Sequence, residues 1–242
     1  MAIELPGELV WVMDLLGLNW PQVNEDGVRE YAEHVRRFAT DIDSSHEAAT
    51  ATIRAMADAY QASSYQQLAE TWARMSTDHM DELVQVCNAS ATALDIAADV
   101  IVAAKLAVIT QLGIMAAELA AAAATAVVTL GASAAAEAAL AEVQRRIVKE
   151  IIQEAEDQVV GMLVERAVAP LEEAVTRALT GLVFKGVQAA VGAAAGGGSV
   201  GEGFRVDPER MLAHAAELQR HADDVVGHAS TFAGATAGVS FS

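Results

Sequence analysis

Six histidines are the side chains of this chain best suited to binding a metal ion or exchanging protons near neutral pH. They are His34, His46, His79, His214, His221 and His228. The last three follow one another at intervals of seven residues, which places them on one helix face with steps of about 10.5 Å. That spacing is too long for a shared metal ion, and the sequence has no HExxH motif. We predict no metal site and interpret the row as a packing or solvated feature.

The remaining groups that could act as nucleophiles or bind phosphate form no recognisable site. Cys87 is the single cysteine, and it lies on an apolar helix face without a basic neighbour, which is typical of a structural thiol. No GxxxxGK[ST] phosphate loop and no Ser/His/Asp grouping is present. The carboxylates are scattered in patterns typical of solvated helix faces. The sequence therefore predicts a protein that is not an enzyme and has no cofactor.

The charge balance excludes one large class of partners. The chain carries 33 Asp and Glu against 15 Lys and Arg, a formal charge of −18. A surface this acidic repels nucleic-acid phosphates and disfavours anionic membranes. It favours a basic protein surface as partner, or a solvated surface with no partner.

The elements that carry these residues are predicted to be helices throughout. Hydrophobic residues make up 53% of the chain, alanine dominates them, and aromatic residues make up only 5%. Alanine is the best helix former, and small side chains let helices pack closely. The first segment, residues 5–18, is apolar on nearly all sides and is predicted to be a short buried helix. Three residues form this N-terminal apolar site: Trp11, Leu15 and Trp20.

Two long amphipathic helices are predicted to follow. Asn24 caps the first, with two acids in its first turn. Its apolar stripe consists of Val28, Tyr31, Val35, Phe38, Ile42, Ala49, Ile53, Met56 and Tyr60. A capping box then predicts a new helix start, in which Ser63 pairs with Gln66 or Ser64 with Gln67. The stripe of this second helix consists of Leu68, Trp72, Met75, His79, Leu83, Val86, Leu94 and Ile101.

Neither stripe is stable in water, so the two helices must fold back on each other across the polar turn. We therefore predict an all-α fold, an elongated helical bundle built on a long antiparallel helical hairpin.

Residues 96–136 are strongly apolar. The longest uncharged run, residues 119–136, has the length of a membrane span, but most of it is alanine, threonine, glycine or serine. Lys105 and Glu118 precede it and would be costly in hydrocarbon. A buried core helix is favoured over a membrane span, and insertion into a membrane, with pore formation, stays open as the alternative function.

The C-terminal part suggests three domains. A turn near Gly131 precedes a helix to about residue 169, and Pro170 begins a last bundle helix that ends near residue 191. Glycine-rich residues 192–206 read as a linker. Asp207 as N-cap and Pro208 at the first position then start a C-terminal helix, with a disordered tail from Gly234. The predicted domains are residues 1–191, 192–206 and 207–242.

The residues at the hairpin turn resemble a known family. In WXG100 proteins of type VII secretion, Trp-x-Gly joins two long helices and a tryptophan follows ten residues after the glycine. In "YQASSYQQLAETW", Tyr60, Gln61 and Ala62 occupy the Trp-x-Gly positions, Leu68 replaces the usual phenylalanine, and Trp72 matches. With "LPGELVWVMDLLGLNWPQVNEDGVREYAEHVRRFA" and "AAKLAVI", residues 3–190 resemble the WXG100-like N-terminal domain of actinobacterial polymorphic toxins, also described as channel-protein-like. The segment "FRVDPERMLAHAAELQRHADDVV" is similar to the opening helix of a second, small WXG100-type protein.

The resemblance implies delivery rather than chemistry. It implies recognition by the membrane ATPase of a type VII secretion system, with a small WXG100-type helical protein as a further partner. The hairpin site would consist of Tyr60, Gln61, Ala62, Ser63, Leu68 and Trp72. The first basic residue is Arg29, so the apolar start lacks the positive region of a signal peptide, and we expect a leaderless route from the cytoplasm to the outside. A helical scaffold without a secretion role is the third interpretation that the sequence leaves open.

Overall fold

A computed structural model describes residues 2–61, 63–75, 80–126, 133–163, 165–166, 169–170 and 205–241. Within these residues the helices are α1 (Val10–Leu16), α2 (Glu25–Ala59), α3 (Ser63–Met75), α4 (Asp81–Ala126), α5 (Ser133–Leu163) and α6 (Pro208–Thr236). A 3-10 turn, Gly7–Leu9, precedes α1. Two short strands, β1 (Tyr60–Gln61) and β2 (Arg205–Val206), pair antiparallel. The predicted all-α fold is confirmed.

The predicted helix starts are confirmed by their capping bonds. The side-chain oxygen of Asn24 accepts hydrogen bonds from the backbone amides of Asp26 and Gly27, each at 3.1 Å. The side chain of Asp207 accepts one from the amide of Arg210, and Pro208 occupies the first helical position. Because a cap satisfies amides that have no partner inside the helix, these starts can be read from local sequence.

The first helix is shorter than its apolar pattern predicts. Only Val10–Leu16 is α-helical, after the 3-10 turn. Gly17 ends the helix in the left-handed region at a φ of 63°, where a side chain would be strained. The predicted segment, residues 5–18, therefore contains two turns of α-helix rather than four.

Two other predicted boundaries fall at residues that are not described. The helix predicted to carry the stripe from Leu68 to Ile101 corresponds to α3, described to Met75, and α4, described from Asp81, and residues 76–79 between them lie outside the described residues. α5 is described to Leu163, and the predicted end near residue 169 stays a prediction. The turn near Gly131, the helix of residues 170–191 and most of the linker lie outside the described residues. The domain boundaries at 191 and 206 therefore stay predictions.

Contacts divide the chain into two units. The first contains Met1–Glu30, Ala93–Val164 and Val239–Ser242, and the second contains Tyr31–Thr92 and Glu165–Gly238. In the first unit α1 packs against α5. The buried cluster of this unit consists of Val12, Met13, Leu16, Val108, Leu112, Met115 and Val148. Each such side chain contributes about 1.5–3 kcal/mol when it leaves water, so this cluster fixes the inner face of α1.

Among the described residues, α4 is also the one helix that is long and apolar enough to cross a membrane, over Asp81–Ala122. Only 22% of its most apolar 18-residue window is buried within the structure. Leu106 and Ile114 are about half exposed, at 50% and 46%. α4 therefore has an inner face in the buried cluster and an outer face that is apolar and open.

Candidate functional site at the helical hairpin

The chain leaves α2 through the residues predicted to form the hairpin turn. Tyr60 and Gln61 form β1, Ala62 lies outside the described residues, and Ser63 is the first residue of α3. The hydroxyl groups of Tyr60 and Ser64 share a hydrogen bond across the turn. Helix α2 therefore ends within the motif, as a turn between two helices requires.

Helix α3 returns along α2. The Tyr65 hydroxyl donates to the carbonyl oxygen of Ile53 at 3.1 Å, and Trp72 Nε1 donates to Thr50 Oγ1 at 2.8 Å. Residue numbers rise along α3 as those of its partners fall along α2, so the pair is antiparallel. The predicted hairpin is thereby confirmed. Leu68, on the same helix, is 38% exposed.

Trp72 also stacks on a histidine of α2. The rings of His46 and Trp72 lie 5.1 Å apart with 16° between their planes. Burial lowers the pKa of His46 because the charged imidazole loses water, and Asp81, Asp43 and Glu47 offset part of this effect. Trp72 is half-buried, so its indole ring both packs in the hairpin and reaches the surface. Whether it is a recognition residue stays a prediction.

A C-terminal segment pairs with the turn, which sequence reasoning did not predict. Tyr60 lies opposite Val206 and Gln61 opposite Arg205 in the β1–β2 ladder. The amide of Asp207 donates to the carbonyl oxygen of Ala59 at 2.9 Å. Strands of two residues leave no alternating pattern to detect. The motif positions are therefore held from outside the hairpin as well as within it.

Helix α6 then runs along α2 through the row of histidines. His228 Nε2 lies 2.9 Å from Ser45 Oγ, and His221 Nε2 lies 3.5 Å from Thr52 Oγ1. Seven residues before His221 on α6 is His214, and seven residues after Thr52 on α2 is Ala59. Nε2 of His214 is buried and has no hydrogen-bond partner among the residues that the structure describes. Ala59 has no hydroxyl group that could bond to this nitrogen, which accounts for the missing partner of His214 Nε2.

An aromatic contact secures the other end of α6. The Phe232 ring lies 6.1 Å from the Tyr31 ring, edge to face, and 5.0 Å from the Phe38 ring. Such pairs contribute about 0.5–1.5 kcal/mol beyond the area that they bury. The histidine row thus has a packing role between one aromatic anchor and the short β ladder.

The three N-terminal site residues lie in the other contact unit. Trp11 and Leu15 are 50% and 54% exposed. Trp20 packs at the margin of the buried cluster. The predicted N-terminal set therefore divides into two exposed residues and one packed residue, and its functional role stays a prediction.

A buried ion pair lies beside Trp20. Lys105 Nζ donates to Glu25 Oε2 and to the carbonyl oxygen of Val23, both at 2.7 Å, and lies 5.9 Å from the Trp20 ring centre. The amide of Ile3 donates to the other carboxylate oxygen. Burial alone would raise the pKa of Glu25, but these hydrogen bonds and the Lys105 charge lower it below its usual value. The pair joins the first residue of α2 to the middle of α4.

Two observations concern the groups that could bind a metal ion or act as a nucleophile. In the part of the chain that the structure describes, no three His, Cys, Asp or Glu side chains are grouped to hold a metal ion. Burial raises the pKa of Cys87, which keeps the thiol protonated and unreactive.

Comparison with known families gives one match. A family model described as a WXG100 like domain matches residues 3–147, more than half of the chain. The matched range contains α1, the hairpin of α2 and α3, and all of α4. No curated protein and no solved structure matches.

Proposed function

The chain belongs to the WXG100-like domain family, a helical family related to type VII secretion, and on this premise we propose that it is the export or adaptor module of a secreted effector. In this proposal the hairpin of α2 and α3 is the part that is recognised. The family is not known for enzymes, which agrees with a role in recognition rather than catalysis.

The contacts that close the hairpin carry this proposal. The bonds of Trp72 to Thr50 and of Tyr65 to Ile53 hold α3 against α2. The ladder of β1 with β2 fixes the turn that joins them. A surface that is already ordered loses little conformational entropy on binding. Leu68, on α3 between Tyr65 and Trp72, is 38% exposed and is a suitable contact for a helical partner.

The partners in this proposal follow from the family. The secretion-system membrane ATPase would recognise the hairpin, and a small WXG100-type helical protein would pair with it. The protein would remain in the cytoplasm until export and then appear outside the cell or at its surface. A toxin as the exported cargo, in an actinobacterium, belongs to the same proposal.

The test compares export of three forms of the chain in cells with and without the membrane ATPase. We expect export of the native chain only when the ATPase is present. Leu68→Arg should lower export about tenfold, because it places a charge in an apolar contact. Leu212→Arg is the matched control, since Leu212 is 72% exposed on α6, and it should be exported normally.

Export without the ATPase would reject the secretion role. Equal export of the two arginine variants would retain the role but reject the hairpin as the recognised surface. Circular dichroism of each variant shows whether the helices are intact, since both sites are exposed.

A second candidate function rests on the open apolar face of α4. Residues Asp81–Ala122 meet the length and composition of a membrane span, and most of the apolar window is not buried. The alternative is therefore a helical protein that inserts into a membrane, or forms a pore, through the apolar stretch of residues 96–136. The buried charge of Lys105 argues against membrane insertion. The lysine would have to separate from Glu25, or the ion pair would have to enter hydrocarbon together. Flotation with liposomes at neutral and mildly acidic pH decides the question, and failure to float under both conditions removes this candidate.

A further inference from the structure

Helix α1 has an apolar face on each side. Val12, Met13 and Leu16 face inward and are at most 3% exposed. Trp11 and Leu15 face outward, one turn apart on the helix, and are 50% and 54% exposed. Residues four apart on a helix are neighbours, so these two side chains form one apolar patch. Trp11 is not among the residues that pack against the buried cluster of this unit.

Carboxylates border this patch. Glu8, in the 3-10 turn, precedes Trp11 by three residues, and Asp14, on α1, follows it by three, so each lies within about one turn of the tryptophan. Both are exposed, and neither side chain forms an ion pair with another described residue. Residues 1–28 contain Glu4, Glu8, Asp14, Glu25 and Asp26 and no Lys or Arg. Glu25 is neutralised by Lys105, which leaves the negative charge around the patch uncompensated.

The patch is held rigidly. The inner face of α1 is fixed by the buried cluster, and Gly17 ends the helix in a defined turn. The segments on either side are tied to α4, because Glu25 accepts from both Ile3 and Lys105. Little conformational entropy would therefore be lost if a partner bound to this face.

We propose that Trp11 and Leu15, bordered by Glu8 and Asp14, form a docking surface for a basic amphipathic helix of a partner protein. Its apolar residues would cover the tryptophan and leucine, and its Lys or Arg side chains would reach the two carboxylates. The charge argues against other occupants. An anionic membrane would be repelled by the carboxylates, and a second copy of the chain would present the same charge. This surface is separate from the hairpin, so either proposal can fail without the other.

The test uses the full chain and a synthetic Leu/Lys amphipathic helix with a fluorescent label, titrated at low and high salt. We expect binding that Trp11→Ser with Leu15→Ser weakens about tenfold or more, since tryptophan often dominates the binding energy of an interface. The matched control is Leu212→Ser with Val226→Ser, which removes two residues that are 72% and 69% exposed on α6. The control should bind as the native chain does.

A separate variant tests the contribution of the two carboxylates to binding. Glu8→Gln with Asp14→Asn should weaken binding severalfold and flatten its dependence on salt, because exposed charges are screened by ions. These variants lie on the surface, and circular dichroism verifies that each is folded. Should the Trp11 variant lose helicity, Leu15→Ser alone and the carboxylate variant provide the same test.

Three results would overturn the proposal. Equal weakening by the α1 and α6 variants would show general attraction of a basic peptide to an acidic protein. Binding to phosphatidylcholine vesicles that depends on Trp11, without binding to the peptide, would show a lipid surface. Self-association that the α1 variant abolishes, again without peptide binding, would show that a second copy is the partner.

Discussion

Oγ of Ser45 and Nε2 of His228 lie 2.9 Å apart, and this pair sets the alignment of α6 along α2. The Thr52–His221 pair follows after seven residues on each helix. Seven residues are close to two helical turns, so the two helices present polar atoms to each other at a regular interval. A polar pair in a helix seam contributes less than apolar packing, but it favours one register over others. The histidine row thus selects where α6 lies.

The missing third pair gives the first prediction. The seven-residue register places residue 59 opposite His214, whose Nε2 has no hydrogen-bond partner among the described residues. Ala59→Ser therefore adds a hydroxyl group beside that nitrogen. A new hydrogen bond to a buried nitrogen should stabilise α6 on α2 by about 1 kcal/mol. Hydrogen exchange of the α6 amides measures this as slower exchange. Ala55→Ser, exposed one turn earlier on α2, is the control and should not slow it. Faster exchange in Ala59→Ser would show that the register does not continue to His214.

Local signals in the sequence account for the parts of the fold that were predicted. Asn24 and Asp207 are caps whose side chains bond amides two or three residues away, so their role can be read from a few residues. The return of α3 follows from two apolar stripes and a polar turn. The spacing of His214, His221 and His228 showed that they share a face, but it did not show what they face.

The parts that were missed depend on residues distant in sequence. Ser45 and His228 are separated by 183 positions, and no local pattern links a serine to a histidine at that distance. The same holds for Lys105 and Glu25, which the sequence presents only as an isolated charge in an apolar helix and a residue in a first turn. The exposure of Trp11 was missed because apolar character was taken as burial, whereas only one side of α1 is covered.

A close approach of the C-terminal tail gives the second prediction. The tail was predicted to be disordered, yet the carbonyl oxygens of Ser240 and Phe241 accept hydrogen bonds from the side-chain and backbone nitrogens of Asn24. A Cβ added at Gly27 would overlap the Ser240 carbonyl oxygen. Gly27→Ala should therefore displace the tail and expose it to proteolysis. Limited digestion followed by mass spectrometry measures the release.

Gly113→Ala is the matched control for this change. It too replaces a glycine within a helix, but an added Cβ there meets nothing within 4 Å. It should raise the free energy of unfolding by about 0.5–1 kcal/mol and leave the tail protected. Equal protection of the tail in both variants would contradict the close approach at Gly27.

The buried ion pair gives the third prediction. The side chains of Lys105 and Glu25 are 3% and 2% exposed, so Glu25→Gln leaves a buried ammonium without its counter-charge. We expect a loss of about 3–5 kcal/mol in the free energy of unfolding, measured by urea denaturation. Replacing both residues, as Glu25→Gln with Lys105→Met, should cost less than Glu25→Gln alone. A double variant that is no more stable than the single one would show that the two charges are not coupled.

The same pair predicts a loss of stability in acid. The pKa of Glu25 is lower in the folded chain than in the unfolded one. A group of this kind contributes its full stabilisation above its unfolded pKa, and loses it as the pH falls through the folded value. The free energy of unfolding should therefore fall below about pH 4.3, the ordinary value for glutamate. Glu25→Gln should remove this part of the pH dependence, and an unchanged profile would contradict the assignment.

His46 predicts a separate pH dependence nearer to neutrality. Its pKa is lowered by burial against Trp72, so the unfolded chain binds the proton more readily than the folded one. The stabilisation from a neutral His46 is complete above the unfolded pKa of about 6.5 and is lost as the pH falls below it. The midpoint of urea unfolding should therefore decrease from pH 7.5 to pH 5.5 in the native chain. His46→Gln should show a smaller decrease. If His46→Gln retains the full decrease, another group is responsible and the hairpin does not sense pH through this stack.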